Sequence, residues 1–126
     1  MHDLAITLKK NGINISGSDD IIYDPSKSKL KKNGLLPKHL GYNKNNISKK
    51  IDLVIISNPN SPTGTIIDPK TMLQIIKKAN RFGIPMVIDE AYNGFYPLTY
   101  IKKIKKYSNL IICRTFSKNF GLAGLR

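Results

Sequence analysis

The stretch "DLVIISNPNSPTG", residues 52–64, decides the fold. Its first part, Asp52 to Ser57, runs through apolar residues with no polar alternation, as in a strand buried on both sides. It ends abruptly in Asn58-Pro59-Asn60-Ser61-Pro62-Thr63-Gly64, where almost every residue favours a turn. Two more runs follow the same plan: "PMVID" at 85–89 and "NLIICRTF" at 109–116. Between them the periodicity predicts helices. The first has Asp68 as N-cap, Pro69 at the first helical position, apolar Met72, Leu73, Ile76 and Ala79, and Gly83 past its end. The second is predicted over Leu98 to Tyr107. Helices alternating with continuous apolar strands give an α/β chain with three layers and a mostly parallel sheet. In such sheets ligands bind beyond the carboxyl ends of the strands. Three polar clusters fall there: Asn58 to Gly64, Asp89 to Tyr92 and Ser117 to Arg126.

The front of the chain is less regular. Residues 3–10 read as a short amphipathic helix with Leu4 and Leu8 on one side and Gly12 at its end. "INISGSD" at 13–19 reads as a strand entering a turn, and Ser26 to Lys32 as a second short helix stopped by Gly34. Residues 42–50 form a polar connector. No internal repeat is present.

The formal net charge is +13 over 126 residues, and Lys+Arg number 21. The lysines come as scattered pairs, and the arginines are Arg81, Arg114 and Arg126. Without an arginine-rich cluster or an aromatic stacking platform, the charge reads as solvated helix faces rather than a nucleic-acid surface. Glu90 is the sole glutamate. Cys113 is the sole cysteine and lies in an apolar run, which predicts a core residue, no disulfide framework and a reducing, cytoplasmic setting. His2 and His39 are far apart in sequence and predict surface positions and no metal site. The longest apolar runs fall far short of the about 18 residues a membrane span needs, and "MHDLAITLKK" is not built as a signal peptide.

Three strand ends converging on one crevice bring together a carboxylate, a phenol, an amide, a lysine and an arginine. That set suits an anionic cofactor with a ring nitrogen. Pyridoxal phosphate needs a lysine for its Schiff base, an acidic partner for its pyridine nitrogen and donors for its phosphate. "NPNSPTG", "VIDEAY" and "TFSKNFGLAGLR", in this order and spacing, resemble the class I/II aminotransferases, a pyridoxal-phosphate family that includes histidinol-phosphate aminotransferase. The resemblance implies that Lys118 carries the cofactor and later moves the substrate proton, that Asp89 pairs with the pyridinium nitrogen, and that Tyr92 bonds the cofactor's phenolic oxygen. Ser117 and Arg126 would hold the phosphate. The family commonly has Asn immediately before "PTG", where its amide holds the phenolic oxygen. This chain has Ser61 there with Asn60 beside it, so either Asn60 takes over the contact or cofactor affinity suffers. Plainer roles stay open: Asp89 as a turn cap, Tyr92 as packing, Ser61 and Thr63 as turn formers, Lys118 as one more solvated charge. Asp89 with Glu90 also resembles the carboxylates of a P-loop ATPase, but the chain has no Gly-Lys-Ser/Thr loop.

Residues 1–56 resemble a different family. "MHDLAITLKKNGINISGSD", "YDPSKSKLKKNGLLPKHLGY" and "KKIDLVII" are similar to the N-terminal domain of the Mur ligases that join a peptide to UDP-N-acetylmuramate. The resemblance implies a partial Rossmann-like segment in which Asp19 sits near the nucleoside of UDP, with a turn role as the alternative. It places a join near Ile56 or Ser57, so that residues 57–126 are part of an aminotransferase large domain. The expected parent moves an amino group between a small-molecule amino acid and a 2-oxo acid, histidinol phosphate being the suggested substrate, and is a homodimer. Little or no turnover is expected of these 126 residues alone, and self-association is expected through uncovered sheet edges.

Overall fold

A computed structural model describes residues 2–124 and divides the chain into two compact units, Met1–Tyr42 and Asn43–Arg126. The first unit holds two helices, α1 (His2–Lys10) and α2 (Ser26–Lys32). Cross-connections between them are polar: Lys9 Nζ donates to the carbonyls of Asn33 at 2.7 Å and Gly34 at 3.3 Å, and Ser26 Oγ lies 3.1 Å from His2 Nδ1. Ile6 is the one buried apolar side chain among the described residues of this unit. Residues 13–19 form no strand, contrary to the sequence pattern. They have no ladder partner, and Ile13 is 50% exposed. Their closing bonds are those of a loop instead: the Gly41 N–H donates to the Asp19 carbonyl at 2.7 Å, and Ser18 Oγ donates to the Gly41 carbonyl at 2.6 Å.

The second unit carries a sheet of β1 (Val54–Ser57), β2 (Met86–Asp89) and β3 (Leu110–Cys113), in that order and parallel throughout. β1 reaches β2 through α3 (Pro69–Arg81), the crossover that parallel neighbours require. The predicted boundaries of α3 hold. Asp68 caps it by accepting the Thr71 N–H at 2.8 Å, Pro69 begins it, and Gly83 follows it with φ of 69°, a conformation that glycine adopts without strain. Met72, Ile76 and Ala79 are fully buried and Ile75 is 3% exposed.

One face of the sheet is buried to match. Register places Val54, Met86 and Leu110 in one row and Ile56, Ile88 and Ile112 in the next, and Met86 and Ile88 have no exposure. The buried stripe of α3 and this face of the sheet supply most of the buried apolar side chains of this unit. The opposite face, with Val87, Asp89, Ile111 and Cys113, is partly open, and Ile111 is 50% exposed. Cys113 is therefore exposed rather than in the core as predicted: β3 is an edge strand, and alternation turns Cys113 to the uncovered face.

Two predicted elements come out shorter. The helix expected over Leu98 to Tyr107 is a 3-10 turn at Ile101–Lys105. The Tyr100 N–H and the Thr99 hydroxyl are bonded to Glu90, which delays its start, and Lys102, Lys103, Lys105 and Lys106 repel along it. The strand expected over 109–116 stops at Cys113. Thr115 then accepts the Ser117 N–H at 3.1 Å and starts a one-turn helix, α4 (Phe116–Asn119).

The Asp68 cap has a pH signature. Its hydrogen bonds to Thr71 hold the carboxyl below the ordinary 3.8. A carboxyl with a depressed folded-state pKa stabilises the fold above its unfolded value and loses that contribution as pH falls through the folded one. Asp68→Ala is expected to lower the thermal midpoint at neutral pH, and the gap from the unsubstituted chain should narrow in acid below 3.8. A gap that stays constant across that range would contradict a contribution from the ionised Asp68 cap.

Candidate active site

Ser57, Asp89 and Cys113 lie abreast at the carboxyl ends of the strands. The ladder runs one residue further: the Asn58 N–H donates to the Asp89 carbonyl at 2.9 Å and the Glu90 N–H to the Cys113 carbonyl at 2.8 Å. Side chains alternate across the sheet, so Asp89 and Glu90 point to opposite faces. Glu90 joins the face of Met86 and Ile88 and is 2% exposed, whereas Asp89 lies on the open face.

The loop after β1 is closed by its own polar groups. Asn58 is buried and its Oδ1 accepts the Ile67 N–H at 2.8 Å. Asn60 braces the turn three ways: its N–H donates to the Thr65 carbonyl at 2.8 Å, its carbonyl accepts the Gly64 N–H at 2.8 Å, and its amide donates to Thr63 Oγ1 at 2.9 Å. Gly64 has φ of 70°, a conformation this tight return needs. Ser61 is left exposed at the tip.

Ser61 then meets the second loop. The Ser61 hydroxyl and the Lys118 amine, both near the Tyr92 phenol, pull its pKa below the ordinary 10.0; burial and the nearby Asp89 charge oppose the shift. Lys118 Nζ stands 5.2 Å from the centre of the Tyr92 ring. The Asp89 carboxylate is steadied by the Ala91 N–H at 2.9 Å. α4, which carries Lys118, approaches the 3-10 turn at Asn93–Phe95 so closely that a Cβ on Gly94 would fall 2.5 Å from the Asn119 side chain. Beside Tyr92 opens a groove of about 380 Å³, walled by Pro59, Ser61, Pro62, Ile66 and Phe95 among others.

Lys118, Asp89, Tyr92 and Ser61 thus lie at the same carboxyl end of the sheet, with Asn60 in the loop beside Ser61. Ser117 is half-buried in the first turn of α4. Arg126 lies outside the described residues. Asp19 belongs to the first unit, where it accepts the Tyr42 hydroxyl at 3.1 Å and the Asp20 N–H at 2.9 Å. Burial raises the Asp19 carboxyl above its ordinary value, and burial with the Asp19 charge raises the Tyr42 phenol.

The pattern of residue types did not pair Glu90 with Arg114. Arg114 donates to Glu90 Oε2 through Nε at 3.1 Å and through a terminal nitrogen at 2.9 Å, and that nitrogen also donates to Thr99 Oγ1 at 2.6 Å. Thr99 Oγ1 donates to Oε2 at 2.8 Å and the Tyr100 N–H to Oε1 at 2.7 Å. The available signal was the lone glutamate of the chain directly after an apolar strand.

The chain has relatives among known proteins. A family model for "Aminotransferase class I and II" matches residues 10–126. The chain belongs to the class I and II aminotransferases. That match runs unbroken across residue 56, which falls inside β1, and covers most of the stretch that resembles the Mur ligases. The histidinol-phosphate aminotransferase of Thermoanaerobacter sp. (strain X514) is 51% identical over 74 residues, 59% of this chain and 20% of the relative. That of Dehalococcoides mccartyi (strain ATCC BAA-2266 / KCTC 15142 / 195) is 43% identical over 97 residues, 72% of this chain and 26% of the relative. The crystal structure of the histidinol-phosphate aminotransferase from Clostridium acetobutylicum aligns with 99% of this chain and 40% of that one, at 27% identity and a TM-score of 0.63. The chain therefore spans between 20% and 26% of the length of these two curated relatives. Aminotransferases of this family are generally pyridoxal-phosphate-dependent, and their substrates are amino acids and 2-oxo acids. No helix among the described residues is long and apolar enough to cross a membrane.

The Glu90 cluster should register in stability. Glu90→Ala strands the Tyr100 N–H and releases Arg114, and hydrogen bonds to charged groups contribute about 1.5–3 kcal/mol. Urea unfolding is expected to show a loss of that order, and an unchanged midpoint would contradict the burial of this charge.

Proposed function

We propose that this chain carries the cofactor-holding part of an aminotransferase, with Lys118 as the residue that binds pyridoxal phosphate covalently. The observation that supports it most is the approach of the Lys118 amine to Tyr92 at the strand end that also bears Asp89. The donor set fits the group: a primary amine, a phenol held by two partners, and a carboxylate whose one oxygen accepts the Ala91 N–H while no other donor among the described residues reaches it. Pyridoxal phosphate, when bound, supplies an aldehyde that condenses with amines and a ring that draws electrons from the substrate carbon.

Each residue then has a task of its own. Lys118 would offer its amine to hold the cofactor, and the same amine would hold and return the proton at the substrate carbon. Asp89 would keep a proton on the ring nitrogen by opposite charge. Tyr92, with Ser61 behind it, would donate to the phenolic oxygen, and Ser117 and Arg126 would take the phosphate. The parent would transfer an amino group between an amino acid and a 2-oxo acid and act as a homodimer; the names of the most similar relatives make histidinol phosphate the substrate to try first.

The test needs no turnover. The purified chain is mixed with pyridoxal phosphate and reduced with borohydride, and the modified lysines are mapped by peptide mass spectrometry. The expected result is label concentrated on Lys118, resistant to competing free lysine and lost in Asp89→Ala. Label spread evenly over the 18 lysines would overturn the reading.

Ser61 gives a second expected outcome. Ser61→Ala removes the hydroxyl that lowers the Tyr92 pKa, so the Tyr92 phenol should titrate closer to 10.0, as followed by the ring-carbon resonance across a pH series. An unshifted titration would show that Ser61 does not hold the phenol.

A further inference from the structure

We propose that Glu90 and Arg114 form a positioning pair that sets Lys118 against Tyr92 and in step with Asp89. The inference rests on the cofactor reading for its meaning, but its geometry stands independently. Glu90 directly follows Asp89, and Arg114 directly follows Cys113, the register partner of Asp89. Their side chains therefore tie the ends of β2 and β3 together one residue beyond the last ladder pair.

Arg114 is also the last fixed point before Lys118. From it the chain passes through Thr115, which caps α4, so only one short turn separates the guanidinium from the lysine. On the far side, the Leu122 N–H returns to the Phe116 carbonyl at 3.2 Å, and Gly94 lets Asn119 settle against the neighbouring turn. With both flanks held, the placement of α4 follows from where Arg114 is anchored.

The anchor is specific to this side-chain pair. The Glu90 side chain is 1% exposed and takes both of its Arg114 contacts on one oxygen, leaving the other for Tyr100. A lysine, with a single nitrogen at the end of a flexible stem, cannot repeat a two-point contact from Nε and a terminal nitrogen. In a chain with 18 lysines and 3 arginines, the only glutamate faces an arginine. Glu90 lies on the face of the sheet opposite Asp89, and the pair acts through Lys118.

The test uses the full 126-residue chain and two variants, Arg114→Lys, which keeps the charge and loses the fork, and Thr99→Val, a milder change that removes the hydroxyl between the two partners. Ile76→Val, in the core, controls for lost stability. The first readout needs no cofactor: the titration of the Tyr92 phenol by its ring-carbon resonance, which Ser61 and Lys118 lower and Asp89 opposes. Both site variants are expected to move it up toward 10.0, and Ile76→Val to leave it in place. The second readout is the Lys118 share of borohydride-fixed pyridoxal phosphate, expected to fall about tenfold in Arg114→Lys, the factor that matches about 1.4 kcal/mol. Unmoved tyrosine titration in both folded site variants, or an equal shift in Ile76→Val, would overturn the pair's positioning role. A native chain that never labels at Lys118 would instead overturn the cofactor reading, and the tyrosine titration would still decide for or against the pair.

Discussion

A single carboxylate, buried where water cannot reach it, governs the end of this sheet. Glu90 lies on the packed face because it shares the alternation of Met86 and Ile88, and there its charge must be met by donors or be very costly. Four such donors come from Thr99, Tyr100 and Arg114. They belong to a loop and to the edge strand, so satisfying one charge also fixes how two separate segments meet β2. The 3-10 turn at Ile101–Lys105 and the early end of β3 both follow from it.

The same alternation that buries Glu90 delivers Asp89 to the open face. Adjacent carboxylates thereby acquire different surroundings: one is consumed in holding the strand ends, the other stays on the open face near Tyr92. Parallel pairing brings all three loops to one end of the sheet, which is why residues as distant in sequence as Ser61, Tyr92 and Lys118 come close together. The face that holds Asp89 is also the one left partly uncovered, with Ile111 at 50% and Phe116 at 59% exposure. Apolar area of that kind invites association with further protein.

Much of the second unit was legible in the sequence. Its three strands, the full boundaries of α3 and the polar clusters at the carboxyl ends all follow from unbroken apolar runs, Asp-Pro capping and turn residues, signals that act locally. Lys118, Asp89 and Tyr92 were singled out through motif order, and parallel pairing brings their segments to one end of the sheet. What could not be read depended on tertiary context. Cys113 looked like core because its strand is apolar, yet edge position and register decide which of its faces is covered. Thr99 and Tyr100 interrupt a helical pattern only because Glu90 claims their donors. The Ser61 replacement was visible, but that its hydroxyl would come near Tyr92 depends on loop geometry. In the first unit, "INISGSD" has the composition of a strand and no neighbour to pair with. The resemblance of this region to Mur ligases rests on such short stretches, and the aminotransferase match from residue 10 onward runs through it.

The central claim is geometric: the folded chain holds the Lys118 amine against the Tyr92 ring. The most direct measurement is a nuclear Overhauser experiment on the isotope-labelled chain, looking for cross-peaks between the Lys118 side-chain methylenes and the Tyr92 ring protons. Such cross-peaks are expected alongside the contacts of the parallel ladder, with Nζ 5.2 Å from the ring centre. An intact ladder with a freely rotating Lys118 and no contact to Tyr92 would contradict the account.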